Sequence, residues 1–448
     1  MTAVLCWQAR KSCITGLTSL RWPILCEASR KMSSKKCQVA HRLRGTEKNI
    51  WVDISRMAVE NNALNLGQGF PDFMAPETIV SCLKEVANDN NPLLHQYTRS
   101  SGHPRLVNAL AKLYEPHLQR LVDPMNEILV SVGAYGALFC VIQGLVNPGD
   151  EVIIIEPFFD CYHPMVSVVQ GVPVFVPLRP TKDGEVTSSA DWKFDPEELA
   201  SKFNDKTKLI IVNTPNNPLG KVFTKDELSI IADLCKKHDV VCVADEVYEW
   251  MTYDNSKHIK IATLPGMWER TITIGSAGKT FSVTGWKIGW SIGPKDLITC
   301  AQIVHQNCNY TCPTPIQEAV ARGLEAEMAK IGKPECYFTA LAEQLKPKRD
   351  YLAKMLSEAG LRPVIPDAGY FMLADYSKLG VDIPDGDDAK DFRFVRWLTV
   401  NKKLNVIPPS VFYSEGHKEM AENLVRVCFI KKDSTLEKAT EILKAWKK

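Results

Sequence analysis

From about residue 127 the chain alternates between short apolar runs and stretches of helical period. Glu127–Val132, Glu151–Ile155, Val172–Val176, Lys208–Val212, Val240–Ala244 and Thr271–Ile274 are rich in Val and Ile and short, which predicts buried strands. The helices between them carry start signals. Asp195-Pro196-Glu197-Glu198 offers an N-cap, a proline at the first helical position and early acidic residues; Thr224 to Glu227 is a capping box ahead of Leu228, Ile231 and Leu234. Such alternation predicts an α/β fold with a mostly parallel sheet covered on both faces. Beyond residue 325 long charged helices dominate, as in Tyr337–Glu358, with strands expected at Val364–Ala374 and Val425–Phe429. The expected organisation is an N-terminal segment at 1–43, an arm at 44–57, a large domain at 81–325, and a smaller α+β domain from 58–80 and 326–448. Ile128 to Gly149 lacks formal charge, but its glycines, Ser131, Gln143 and Asn-Pro-Gly ending predict a buried strand, turn and helix rather than a membrane span.

Charge divides the chain unevenly. The 448 residues carry a net charge of +2, yet residues 1–48 hold ten Lys or Arg against two Glu, leaving the remainder acidic. That remainder offers no broad cationic surface for nucleic acid. The basic start interleaves Arg10, Lys11, Arg21, Arg30 and Lys31 with Trp7, Leu17, Leu20, Trp22, Ile24 and Leu25, and its first acid is Glu27. This amphipathic, hydroxyl-rich pattern predicts a mitochondrial presequence, and Met32 offers a start for a shorter cytosolic form. Four of the 14 cysteines lie in this segment, and the rest lack Cys-x-x-Cys spacing. They read as reduced core thiols, and no metal site is expected.

The chemistry concentrates at Ile-Gly-Ser-Ala-Gly-Lys-Thr-Phe-Ser-Val-Thr-Gly-Trp-Lys-Ile-Gly-Trp (274–290). A lysine enclosed by small and apolar neighbours loses hydration of its charged form, so Lys279 is a candidate nucleophilic amine. Ser276 and Lys287 are placed to clamp a phosphate beside it. The run is not a P-loop, because Thr273 stands where that motif needs its first glycine. By itself it reads equally as a glycine-rich turn with a surface lysine. Asp245 ends the run Val240–Asp245, where a parallel sheet presents ligand-binding groups, and Tyr248 follows three residues later. Alone, the pair also fits an N-cap and a core tyrosine. Asn213 to Gly220 is a proline-stiffened loop that presents Asn217 at another strand end. Val132 to Ala137 is a strand-to-helix turn whose N–H groups suit a phosphate. Neither it nor Gly67 to Asp72 matches a dinucleotide fingerprint.

Together with Arg426 in Val-Arg-Val-Cys-Phe, these motifs resemble class I/II aminotransferases of the pyridoxal phosphate (PLP) fold type I. Asn65–Phe73, Glu156–Tyr162 and Leu264–Thr271 narrow the resemblance to kynurenine aminotransferases, also called cysteine-S-conjugate β-lyases. It runs from about Arg44 to the C-terminus. The resemblance implies PLP as cofactor, with Lys279 as the Schiff-base lysine and proton carrier and Asp245 paired to the pyridinium nitrogen. It places Tyr248 and Asn217 on the ring oxygen, and Phe159 on the ring face. Ser276, Lys287 and the backbone at Ala134 and Tyr135 hold the phosphate, joined by Tyr97 from a second subunit of a homodimer. Arg426 takes the substrate α-carboxylate, with Asn217 and the Gly69 backbone. Trp51, Tyr135, Phe159 and the second subunit's Tyr310 line an aromatic side-chain pocket. Tyr310-Thr311 replaces the Phe-His of the first type of this family and looks like the third type.

The implied activity is transamination of L-kynurenine and other aromatic, sulfur-containing or large neutral amino acids with a 2-oxo acid such as 2-oxoglutarate or glyoxylate. Kynurenate is the product from kynurenine, and β-elimination of cysteine conjugates is a side activity. Glutamine or methionine transamination, or dedicated C–S lysis, is the alternative main activity. A nucleotide-binding enzyme is disfavoured by the failed fingerprints. A non-catalytic protein on this scaffold is expected to have lost Lys279, Asp245 or Arg426, and all three are present.

Overall fold

Seven β-branched runs pair into one sheet in the computed structural model, which describes residues 39–46, 49–184 and 186–446. In chain order they are β1 (Ile128–Val132), β2 (Glu151–Glu156), β3 (Val172–Pro177), β4 (Thr207–Asn213), β5 (Val241–Asp245), β6 (Thr271–Ser276) and β7 (Ile288–Ile292). Their spatial order is β1-β7-β6-β5-β4-β2-β3, and only β7 runs antiparallel to its neighbours. Six of these strands match the apolar runs in the sequence. The seventh, β7, was not expected: it is the Ile-Gly-Trp-Ser-Ile that follows Lys287, and its two neighbours make it a buried strand.

The period-two geometry of a strand sorts the sheet's residues into two cores. Val152, Ile154, Leu209, Ile211, Val243, Ile272 and Ile274 pack with Leu138, Val141 and Ile142 of helix Gly133–Leu145. The alternate set, Ile153, Ile155, Ile210, Val212, Cys242 and Ala244, packs with Leu228, Ile231 and Cys235 of helix Lys225–His238. Both faces are therefore covered, as continuous apolar runs require. The Thr224–Glu227 capping box and the Asp195 N-cap form as predicted.

A second sheet is built from β8 (Arg362–Ile365), β9 (Phe371–Asp375) and β10 (Leu424–Cys428), with the short Thr187–Ser188 at its edge. The single strand expected over 364–374 is instead an antiparallel hairpin, because Pro366 to Gly369 turns the chain and Gly369 has φ +73°. Helix Tyr337–Ala359 packs on this sheet through Leu352, Met355 and Leu356. Leu64 and Asn65 pair in parallel with Leu404 and Asn405.

Residues 45–448 form one compact unit and residues 1–44 a separate one, whose described part includes a 3-10 turn at His41–Leu43. The expected presequence and Met32 lie outside the described residues. Among the described residues no helix is long and apolar enough to cross a membrane. The described cysteines are free thiols, eight of them buried. Glu246, Glu249 and His258 cluster as metal ligands do, but Lys260 Nζ lies 2.7 Å from Glu246 and 2.5 Å from Glu249 and supplies the positive charge there.

Candidate active site

The candidate residues of the large sheet lie at the carboxyl ends of its parallel strands, with Lys287 at the amino end of antiparallel β7 on the same edge, and Arg426 comes to them from the second sheet. β5 ends at Asp245, which is 3% exposed. Its Oδ2 accepts from the Tyr162 hydroxyl at 2.5 Å and its Oδ1 from the Val247 N–H at 3.4 Å. Burial raises the Asp245 pKa to about 6, against the pull of these donors and of Lys279. No helix follows β5, so Asp245 is not an N-cap. A buried carboxylate with one hydroxyl and one distant amide for company suits a protonated ring nitrogen.

β6 ends at Ser276 and leads into the single turn Ala277–Thr280, which carries Lys279. Lys279 Nζ donates to the Tyr370 hydroxyl at 2.6 Å, and that hydroxyl donates to the Gly69 carbonyl at 3.0 Å. The amine stands 5.4 Å from the centre of the Tyr248 ring. Burial lowers its pKa to about 8, with Arg426 and Lys287 pushing the same way. Its side chain keeps access to the cleft, while protein groups replace water on its other sides.

β1 turns into helix Gly133–Leu145, whose N-terminus has no side-chain cap. Its first N–H groups, at Ala134 and Tyr135 among others, are orphan donors. Gly289 lets this turn settle onto β7, since a Cβ there would lie 2.4 Å from the Ala134 nitrogen. Lys287 brings its ammonium to the same place: a Cβ on Gly133 would lie 3.3 Å from Lys287 Nζ. Lys287 makes no ion pair among the described residues. A helix dipole and a lone ammonium converging on one point call for an anion such as a phosphate. With Lys279 and Asp245 beside it, the donor set fits pyridoxal phosphate.

Arg426, in β10, is 1% exposed. Nη1 donates to Asn217 Oδ1 at 3.0 Å and Nη2 to the Gly67 carbonyl at 2.8 Å, while Nε is buried without a partner. No carboxylate pairs with it among the described residues, and burial lowers its pKa to about 10. Phe371 lies 3.9 Å beneath the guanidinium, with Phe412 at 5.0 Å and Trp51 at 5.2 Å. This is no surface ion pair; it is a desolvated cation set between neutral acceptors. Asn217 is held in turn, its N–H donating to Asn213 Oδ1 at 2.7 Å. The segment bearing Phe412 is fastened to the end of β2: the Phe158 N–H donates to the Phe412 carbonyl at 2.9 Å, and buried Glu156 accepts from the Ser414 N–H and pairs with His417.

Lys279, Asp245, Tyr248, Asn217 and Arg426 thus meet in one cleft, with Ser276, Lys287, Ala134 and Tyr135 at its anion end. Phe159 packs edge-on to Tyr162 at 6.1 Å between centroids. The Gly69 carbonyl accepts from Tyr370, and the Gly67 carbonyl accepts from Arg426. Tyr97 and Tyr310, 82% and 57% exposed, lie edge-to-face against each other at 5.5 Å. Sequence reasoning missed Tyr370, Tyr162, Gly67 and Asp160. Tyr162 was legible as the end of the Glu156–Tyr162 motif, whereas Tyr370 sits in the hairpin read as one strand and gave no signal.

Comparison with known proteins agrees with this arrangement. The family described as aminotransferase class I and II matches residues 61–443. Kynurenine–oxoglutarate transaminase 3 of Mus musculus is 55% identical over 415 residues, which cover 92% of this chain and 90% of that protein. Kynurenine–oxoglutarate transaminase 1 of Homo sapiens is 47% identical over 414 residues, 91% of this chain and 98% of that one. The solved structure of Bna3p from Saccharomyces cerevisiae superposes with a TM-score of 0.85 at 35% identity, covering 92% of this chain and 99% of that chain.

Proposed function

Because the chain belongs to the class I and II aminotransferases, we propose that it transfers the amino group of L-kynurenine, and of other aromatic, sulfur-bearing or large neutral amino acids, to a 2-oxo acid such as 2-oxoglutarate or glyoxylate. One observation carries the reading: a buried arginine without a carboxylate partner, across the cleft from a half-buried lysine of lowered pKa. Amino acid and oxo acid share an α-carboxylate, and the Arg426 fork is left to bind it bidentately.

Pyridoxal phosphate, the cofactor of this family, supplies when bound the electron sink that makes the substrate Cα–H bond acidic. The protein residues do the rest. Asp245 would hold the proton on the ring nitrogen, Tyr248 and Asn217 would bond the ring oxygen, and Lys287 with the Gly133–Leu145 helix terminus would anchor the phosphate. Lys279, with its pKa near 8, removes the Cα proton as a neutral amine, and the Tyr370 hydroxyl orients its nitrogen. Trp51, Phe159, Tyr135 and Phe371 exclude water and favour flat or sulfur-bearing side chains. The 2-oxo acid formed from kynurenine closes to kynurenate. A substrate with a leaving group on Cβ can lose it after the same proton abstraction, which accounts for lyase activity at this one site.

The protein acts as a homodimer in this reading, the exposed Tyr97–Tyr310 pair completing the neighbour's site, and its basic start directs it to mitochondria. A panel of kynurenine, phenylalanine, glutamine and methionine against 2-oxoglutarate, glyoxylate and pyruvate tests the activity. Ping-pong turnover that requires the oxo acid is expected, and product release independent of oxo acid as the main flux refutes it. A monomeric mass in solution refutes the dimer. Sequencing the N-terminus of protein recovered from mitochondria tests the leader.

A further inference from the structure

We propose that Asp160 is a specificity-determining residue whose carboxylate turns the side-chain pocket against substrates with an anionic distal group and toward those with a neutral N–H donor. The inference rests on the aminotransferase reading above and deepens it. Asp160 follows Phe159 just beyond β2, and its Oδ2 accepts from Trp51 Nε1 at 2.7 Å. That bond fixes the indole, on helix Ile50–Glu60, at 5.2 Å from the Arg426 guanidinium carbon. Asp160 and Arg426 act on each other electrostatically, yet no ion pair joins them within 4.0 Å. Held against the edge of the Trp51 indole, the carboxylate lies beside the pocket wall that this ring forms, and it leaves the guanidinium to take the α-carboxylate.

No lysine, arginine or histidine pairs with Asp160 among the described residues, and a carboxylate has about four acceptor sites, of which the indole takes one. An amide, aniline or indole N–H on a substrate side chain satisfies a remaining site. A distal carboxylate, that of 2-oxoglutarate included, meets like charge in a partly desolvated pocket, so glyoxylate is expected to be the better acceptor. Unit charges about 7–10 Å apart at an effective dielectric near 20 repel enough to cost roughly ten- to fiftyfold in affinity.

The charge and the positioning of Trp51 are separable. Asp160→Asn keeps an oxygen for the indole N–H and removes the charge, whereas Trp51→Phe removes the hydrogen bond and keeps the charge. The holoenzyme is assayed for kcat/KM with glutamate and with phenylalanine against one oxo acid. Unreactive glutarate and 3-phenylpropionate are titrated separately for Kd. Asp160→Asn is expected to raise the glutamate-to-phenylalanine ratio, and the glutarate-to-phenylpropionate affinity ratio, by about tenfold or more. Trp51→Phe is expected to lower all values and leave both ratios within about twofold. Ratios unchanged in Asp160→Asn, or moved equally by Trp51→Phe, overturn the proposal. A wild-type enzyme that transaminates neither amino acid refutes the aminotransferase reading instead, so the two failures are distinguishable.

Discussion

Replacing Asp245 with asparagine should stabilise the cofactor-free protein while disabling the enzyme. The buried carboxyl has its pKa raised from 3.8 to about 6, chiefly by loss of hydration. That shift corresponds to roughly 3 kcal/mol of differential cost for keeping the group ionised in the fold. Its folded pKa lies above its unfolded one, so the folded state holds the proton more tightly. Stability from this group is fully present below about pH 4 and is lost as pH rises through about 6. An amide has no charge to desolvate. Its oxygen can still accept from Tyr162, and the long bond from Val247 is the main loss, at about 0.5–1 kcal/mol. The net gain for cofactor-free Asp245→Asn is therefore about 2 kcal/mol above pH 6, shrinking toward zero near pH 4. Urea midpoints of both cofactor-free proteins from pH 4 to 8, at one protein concentration, measure it. Cofactor binding should stabilise the variant less than the wild type, because the ring proton loses its ionic partner, and turnover should collapse. A variant less stable than wild type at pH 7.5, or a difference independent of pH, refutes the argument that this aspartate is held ionised at the fold's expense.

Other expectations follow from the same geometry. In cofactor-free protein the acylation rate of Lys279 should rise with pH and reach half its limit near pH 8, because only the neutral amine reacts; a midpoint above 10, read by peptide mapping, removes the burial effect. Arg426→Lys should lower kcat/KM for every amino acid and oxo acid by roughly 10- to 100-fold, since an ammonium cannot reproduce the planar fork held by Asn217 and Gly67; steady-state kinetics across both substrate classes checks it. Lys287→Ala should weaken cofactor retention by about tenfold or more in equilibrium dialysis while the protein stays folded, since its ammonium is exposed and unpaired among the described residues. Gly275→Ala should destabilise the fold by about 1–3 kcal/mol, because a methyl there would lie 2.1 Å from Trp290 Nε1; an unchanged urea midpoint refutes that packing.

Local pattern was enough to reveal most of the architecture. Six strands of the large sheet, the capped helices at Asp195 and Thr224, and the long helix Tyr337–Ala359 all follow from apolar period, β-branching and capping chemistry, which act between residues close in the chain. The lysine, aspartate, asparagine and arginine motifs were legible too, because each stands at a strand end or in a loop with its own local signature. What the chain order left open was decided by pairing across long separations. β7 became a strand only because β1 and β6 flank it, and the 362–375 stretch folded back as a hairpin to meet β10. Tyr370 reaches Lys279 from 91 residues away, Arg426 reaches Asn217 across 209, and Trp51 reaches Asp160 across 109. Such contacts leave no periodicity in the sequence, since a hydrogen bond or a lost hydration shell depends on which surfaces the packed sheets bring together. The residue types came from the chain, whereas their perturbed acidities and a guanidinium buried without a carboxylate partner exist only once burial has removed the water.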